Sequence, residues 1–184
     1  QENQQVCAVP GYNSNVPLYI LGSSLFGAQL AAILGLPFAF ASHFAPDALE
    51  RAISIYREEF EPSDQLKNPY VILGFNVCAA ETDEEAHYLK SSGLQALINL
   101  RTGNPGPLPP PIQDFEKNLC GPEKQLVSQS RSASATGSME RITQEISEFL
   151  KLTNADELII TSQIFDHAAR VESYSITQQA CIGL

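Results

Sequence analysis

Short apolar segments alternate with amphipathic helical segments along most of this chain, and this alternation constrains the fold more than any other feature. Each apolar run ends at a turn, a helical pattern with its own start and stop signals follows, and the order then repeats. Four strand-helix units can be counted, with strands at Val16–Leu21, Leu36–Ala41, Tyr70–Ala80 and Leu158–Thr161. Such alternation predicts an α/β fold, in which a parallel sheet is covered by helices.

The predicted helices carry recognisable end signals. The Ala- and Leu-rich segment Leu25–Leu34 is followed by Gly35, which is typical of a helix end. Thr82 and Glu85 have the spacing of a capping box and therefore mark the start of another helix. Further helices are predicted after Pro46, from Gly137-Ser138 to Leu152, and from Asp166 onwards.

A proline-rich segment interrupts the alternation. Residues Thr102–Pro111 cannot hold a regular helix or a central strand, because proline lacks the N–H group and fixes φ. The polar stretch that follows, up to Arg131, is predicted to be irregular or partly helical. We therefore predict one domain over residues 1–184 with a proline-rich insertion near 102–131, since 184 residues correspond to about one domain.

Two architectures compete for this pattern. A doubly wound sheet with a nucleotide at its switch point suits the length, but neither G-x-G-x-x-G nor G-x-x-x-x-G-K-[ST] follows any predicted strand. A TIM-like (β/α)₈ barrel suits the repeated unit, but such barrels need about 250 residues. Four units correspond to half of a barrel.

The charge balance excludes several classes of partner. Eleven Lys and Arg against 21 Asp and Glu give a formal net charge of −10, which argues against binding to nucleic acid or to an anionic membrane surface. No apolar run approaches the roughly 18 residues that a membrane span requires. The sequence predicts an acidic globular protein.

The four cysteines, Cys7, Cys78, Cys120 and Cys181, lie far apart, and no histidine stands at ligand spacing. We therefore expect no metal site. Two disulfides remain open, but reduced thiols in the cytoplasm fit a chain of this length better. The chain starts at Gln1 without a methionine, so we expect it to be processed or to be part of a longer protein.

Several segments resemble the bacterial luciferase-like, flavin-dependent monooxygenase family. The resemblance lies in Val16–Ala32, in Gly35–Phe44 and in the later segments Asp156–Leu158 and Gln163–Arg170. It implies that the chain corresponds to strands five to eight, the second half, of that family's TIM-like barrel.

The resemblance also implies a chemistry. Members hold reduced FMN at the carboxyl-terminal mouth of the barrel and use dioxygen to oxygenate a small organic substrate, with reduced FMN supplied by a separate flavin reductase. Two alternatives stay open: a flavin-binding or structural remnant without turnover, and a deazaflavin-dependent dehydrogenase. The inner face of a half-barrel, such as that of Tyr70–Ala80, would be exposed and apolar, which predicts a homo-oligomer.

The best candidate for a cofactor anchor is Gly22-Ser23-Ser24, at a predicted strand-to-helix turn. Free backbone N–H groups and the positive end of a helix favour a phosphate there, and the matching turn of the family contacts the FMN phosphate. The alternative is that Ser24 only caps the following helix.

His43 is the second candidate, because it ends a predicted strand on the barrel face where active sites lie. A structural, hydrogen-bonded histidine is its alternative role. Gly137-Ser138 begins another helix, and capping is its expected role. The sequence assigns no catalytic residue.

Overall fold

The computed structural model describes residues 9–11 and 14–184, so the predictions that involve Cys7 and the first residues lie outside it. The strands in these residues are β1 (Ile20–Gly22), β2 (Phe38–Phe40), β3 (Val71–Ala79), β4 (Ser134–Gly137) and β5 (Glu157–Thr161). The α-helices are α1 (Leu25–Leu34), α2 (Leu49–Glu58), α3 (Asp83–Arg101), α4 (Gly121–Ser130), α5 (Met139–Thr153) and α6 (His167–Ala180).

The strands form one parallel sheet in which β3 is the central element. β2 lies between β1 and β3. β3 also pairs with β5 over Ile72–Asn76 and with β4 over Asn76–Ala79. The predicted α/β class with a parallel sheet is therefore confirmed, but the count of four units is wrong, because the described residues form five strand-helix units.

The missed strand is β4. Its sequence, Ser-Ala-Thr-Gly, offers no run of apolar side chains, which is the signal by which a buried strand is recognised. Its neighbours bury it instead: it packs against β3, α3 and α5, and Ala135 is 1% exposed. The assignment to strands five to eight accounts for four strands, whereas the described residues form five. Five strands are still fewer than the eight of a closed barrel.

Local signals place the helix ends where the sequence predicts them. Gly35 ends α1 with φ of 61°, and a Cβ atom there would lie 2.4 Å from the carbonyl oxygen of Glu61, so only glycine fits. The Thr82 hydroxyl accepts a hydrogen bond from the Glu85 N–H at 3.2 Å at the start of α3. Asp166 caps α6 in the same way, accepting from the Ala169 N–H at 2.8 Å.

The proline-rich segment 102–111 holds neither helix nor strand, as predicted, and the polar stretch after it contains α4. No helix in residues 9–11 and 14–184 is long and apolar enough to cross a membrane. The thiols of Cys78, Cys120 and Cys181 are free.

The two faces of β3 have different roles. Val71, Leu73, Phe75, Val77 and Ala79 point into the main core, where α1, α2 and α5 pack. The ring centroids of Phe75 and Phe149, for example, lie 4.6 Å apart. Gly74, Asn76 and Cys78 alternate with these residues and face the other side.

That second face is not open, which corrects the expectation of an exposed apolar surface at Tyr70–Ala80. Every residue from Val71 to Ala80 except Asn76 is buried. Helix α3 covers the carboxyl-terminal end, where Cys78 and Ala80 pack against Ala86 and Leu89.

Tyr56 of α2 ties the amino-terminal ends of β2 and β3 to the helix layer. Its side chain is fully buried, its hydroxyl donates to the Leu36 carbonyl at 2.9 Å, and it accepts from the Tyr70 N–H at 3.0 Å. Because Tyr56→Phe removes the partner of one buried carbonyl and of one partly buried N–H group, we expect it to lower the free energy of unfolding by about 1–3 kcal/mol.

Denaturant titration measures this change. The matched control is Tyr174→Phe, since Tyr174 is 41% exposed and its hydroxyl makes no hydrogen bond within the described residues. The control should change stability by less than about 0.5 kcal/mol. Equal losses in the two variants would contradict the role given to Tyr56.

Candidate functional site

A cavity of about 660 Å³ lies at the carboxyl-terminal ends of the strands. It is lined by residues that follow β1, β2 and β5, by the second face of β3, and by side chains of α3 and α4. Binding sites of parallel α/β proteins lie at this end of the sheet. The cavity brings together two of the predicted site residues, Ser23 and His43, whereas Gly22 and Ser24 lie beside it.

The turn between β1 and α1 is open. Ser23 and Ser24 are exposed, and Ser24 occupies the N-cap position of α1 with extended backbone angles. Its side chain, however, makes no capping hydrogen bond. The first N–H groups of a helix have no partner within the helix, so this turn offers N–H donors and two uncommitted hydroxyl groups.

The second predicted helix-start turn, Gly137-Ser138, is filled by the protein itself. The Ser138 N–H donates to Oδ1 of Asp83 at 2.7 Å, and this bond lowers the pKa of Asp83. Gly137 has φ of 150°, and a Cβ atom there would lie 2.5 Å from the same Asp83 oxygen. Ser138 is the N-cap residue of α5, as expected, although its hydroxyl group makes no capping bond.

His43 packs directly against the backbone of Gly74 on the second face of β3. A Cβ atom at Gly74 would lie 2.2 Å from Nδ1 of His43, so the position of the ring requires glycine. Nδ1 is buried and makes no hydrogen bond of normal geometry among the described residues, although the Gly74 backbone lies against it. Burial lowers the pKa of His43, and the Gly74 carbonyl opposes part of that shift.

The sequence reasoning missed several polar residues of the cavity, among them Asn76, Lys90 and Gln163. Asn76 of β3 accepts a hydrogen bond from the Thr161 hydroxyl, which fixes its amide. Lys90 enters the cavity from α3, and Gln163 enters after β5. The only local signal is Gly93 in the interior of α3, where a Cβ atom would lie 3.2 Å from that of Gln163.

The cavity mouth carries a cation beside an aromatic ring. The Arg101 guanidinium at the end of α3 lies 5.5 Å from the centroid of the exposed Phe44 ring. Both residues line the cavity. A cation over a ring face is favourable, so this pair holds the end of α3 against the segment that follows β2.

The lowered pKa of His43 makes the stability depend on pH. The unfolded chain binds a proton at His43 near pH 6.5, whereas the folded chain binds it only at lower pH. The free energy of unfolding should therefore fall as the pH drops through 6.5 and level off below the pKa of the folded state.

We expect His43→Asn to reduce the difference in unfolding free energy between pH 8 and pH 5.5, measured by urea denaturation. His167→Asn is the control, because His167 is exposed on the surface at the start of α6. An unchanged pH dependence in His43→Asn would refute the effect of burial on this ring.

Comparison with known proteins places the chain in a family. The sequence model for luciferase-like monooxygenases matches residues 1–157. The chain is 45% identical over 174 residues to a luciferase-like monooxygenase of Escherichia coli (strain K12), and this alignment covers 95% of the chain and 52% of that protein. The chain thus spans about half the length of the curated relatives that it matches.

Solved structures agree. The fold is similar to that of apo-MsnO8, with a TM-score of 0.82 and 29% identity over 97% of this chain and 55% of that one. It is also similar to the FMN complex of the oxygenating constituent of 3,6-diketocamphane monooxygenase from Pseudomonas putida, with a TM-score of 0.57, 17% identity, and coverage of 90% and 48%. The resemblance drawn from the sequence is confirmed: the chain belongs to the luciferase-like monooxygenase family.

Proposed function

We propose that this chain is the carboxyl-terminal part of a flavin-dependent monooxygenase barrel that uses reduced FMN and dioxygen to oxygenate a small organic substrate. Membership of the family supports an oxidoreductase. The observation that carries the assignment is the open β1–α1 turn beside the cavity, with its uncommitted serine hydroxyls and His43 on the same cavity wall.

The residues present fit an FMN anchor. A phosphate at the start of α1 would accept hydrogen bonds from free N–H groups and from Ser23 and Ser24, with the helix dipole adding to the attraction. The other helix-start turn, at Ser138, has its N–H group taken by Asp83, so the two turns are not equivalent. Of the two, only the β1–α1 turn leaves room for an external anion.

Bound FMN would supply the redox chemistry, because no ordinary side chain reduces dioxygen. In this proposal the chain orients the cofactor and shields the reacting region. Ser23 and Ser24 hold the phosphate, and His43 lines the adjoining cavity as a neutral ring, since burial disfavours its charged form. A separate flavin reductase would supply reduced FMN.

Ser24→Ala tests the anchor. The substitution removes one hydroxyl donor to a charged acceptor, a bond of about 1.5–3 kcal/mol, and should weaken FMN binding roughly ten- to a hundredfold. Riboflavin lacks the phosphate and should bind equally well to both proteins. Fluorescence titration of the two flavins, with thermal midpoints measured alongside, gives the result.

Ser138→Ala is the matched control, because Ser138 is also an N-cap residue whose hydroxyl makes no capping bond. It should leave the affinity for both flavins unchanged. Equal weakening of FMN and riboflavin by Ser24→Ala would assign the serine to the helix and not to the cofactor. Failure of the unmodified chain to bind FMN would reject the turn as a sufficient anchor, and a preference for a deazaflavin would favour the dehydrogenase alternative.

The isolated chain is expected to have no monooxygenase activity. Five strands leave a barrel unclosed, and the curated relatives are about twice as long, so part of the proposed flavin and substrate pocket has no counterpart in these residues. An NADH and reductase assay with the 184-residue chain measures this. Turnover that depends on FMN would contradict the expectation, whereas flavin binding without turnover would agree with it and with the remnant alternative.

Exposed apolar residues near β1 also support self-association, although the surface first expected was the face of Tyr70–Ala80. Leu18, Leu21 and Phe26 are 60%, 73% and 71% exposed and lie on or beside β1, the end strand of the sheet order. An end strand with apolar neighbours offers free backbone groups to another strand. We therefore propose that β1 mediates contact with a second copy or with the remainder of a barrel.

A further inference from the structure

Lys90 of α3 lines the cavity without a counter-ion among the described residues, where it makes no hydrogen bond or ion pair. It also lines a neighbouring cavity of about 290 Å³, whose wall includes Glu145 and Glu148. Lysine side chains are seldom removed from water unless they are paired, because a desolvated ammonium group is costly. Desolvation accordingly lowers the pKa of Lys90.

The two carboxylates whose charge acts on Lys90 are already engaged. Glu116 forms an ion pair with Arg131, and Glu145 forms one with Arg141 at 3.1 Å. Both glutamates favour the charged form of Lys90 from a distance, and neither bonds to it. The amine therefore retains its capacity to bind an anion in the cavity.

The rest of the cavity indicates what kind of anion would fit. Its charged lining consists of Lys90, Arg101 and Asp47, which leaves a local excess of one positive charge in a chain of formal net charge −10. The rest of the lining includes polar side chains such as Asn76 and Gln163, and it has one apolar part, with leucines at positions 94, 97 and 100 of α3 and at position 126 of α4. This leucine wall next to one partly buried cation suits a molecule with an apolar body and one anionic head.

We propose that this cavity binds a small organic carboxylate, with the carboxylate on the Lys90 amine and the apolar body against the leucines of α3. Lys90 is thereby a specificity-determining residue. The inference rests on the proposed function in one respect, since it takes this ligand to be the organic substrate of the same site.

Three molecules with the same cyclohexyl body and a different polar head test the proposal: cyclohexanecarboxylate, cyclohexylmethanol and cyclohexylmethylamine. They are titrated by calorimetry into the chain without flavin. The carboxylate should bind at least tenfold more tightly than the alcohol or the amine, because a hydrogen bond to a charged partner separates them. Equal binding of carboxylate and alcohol, or no binding of the carboxylate, would overturn the proposal.

Lys90→Met should weaken carboxylate binding at least tenfold and leave the alcohol unaffected. Removing an unpaired, partly buried charge is not expected to unfold the chain, and Lys90→Gln provides a second, polar variant. The control is Lys124→Met, an exposed lysine of α4 that does not line the cavity. Equal loss of all three ligands in Lys90→Met would mean that Lys90 shapes the cavity without selecting charge.

These titrations contain no flavin, so the two proposals can fail separately. Carboxylate selectivity without FMN binding would contradict only the proposed function. FMN binding without carboxylate selectivity would contradict only this inference.

Discussion

The alternation of side chains along β3 is the constraint on which both the core and the cavity depend. One set of residues, from Val71 to Ala79 at every second position, packs under α1, α2 and α5. The other set puts Gly74 beneath His43 and Asn76 and Cys78 into the cavity wall. A shift of pairing by one residue would exchange the two sets, so the buried phenylalanines that stabilise the fold also fix the register of the site.

Two helix-start turns show how the same backbone feature acquires different roles. The N-terminus of a helix attracts negative charge wherever it occurs. At α5 the chain supplies that charge through Asp83, and the turn is satisfied by an internal hydrogen bond. At α1 no side chain of the described residues fills this role: Ser23 and Ser24 are exposed, and the N-cap hydroxyl makes no capping bond. The difference lies in one carboxylate delivered by α3, and it separates a structural turn from a candidate binding turn.

Local signals predicted the helices well because their causes lie within a few residues. Gly35 ends α1 through its own backbone angle, and Thr82 and Asp166 begin α3 and α6 through N–H groups three positions later. The position of Ser23 and Ser24 at a strand-to-helix turn followed from the same reasoning. These features need no knowledge of the rest of the fold.

What escaped prediction depends on contacts between distant segments. β4 is a strand because β3 and two helices bury it, and its own four residues carry no apolar pattern. The contact of His43 with Gly74 joins positions 31 residues apart, and no periodicity records it. The position of Lys90 also depends on distant segments, because a lysine in an amphipathic helix ordinarily points to solvent. Only the packing of α3 across the sheet makes it a lining residue of the cavity.

Local charge, and not net charge, decides what such a protein attracts at close range. A formal charge of −10 repels anions at long distance, but salt screens that repulsion beyond about 8 Å at physiological ionic strength. In and around the cavity the relevant groups are the Lys90 amine, the Arg101 guanidinium at the mouth and the exposed N–H groups at the start of α1. Of these, Lys90 is partly shielded from water, where charges interact more strongly. An acidic surface and an anion-binding cavity are therefore compatible in one chain. The negative surface charge disfavours nonspecific contact with nucleic acids and anionic membranes, and salt weakens this repulsion. The cavity retains its affinity for molecules small enough to enter it.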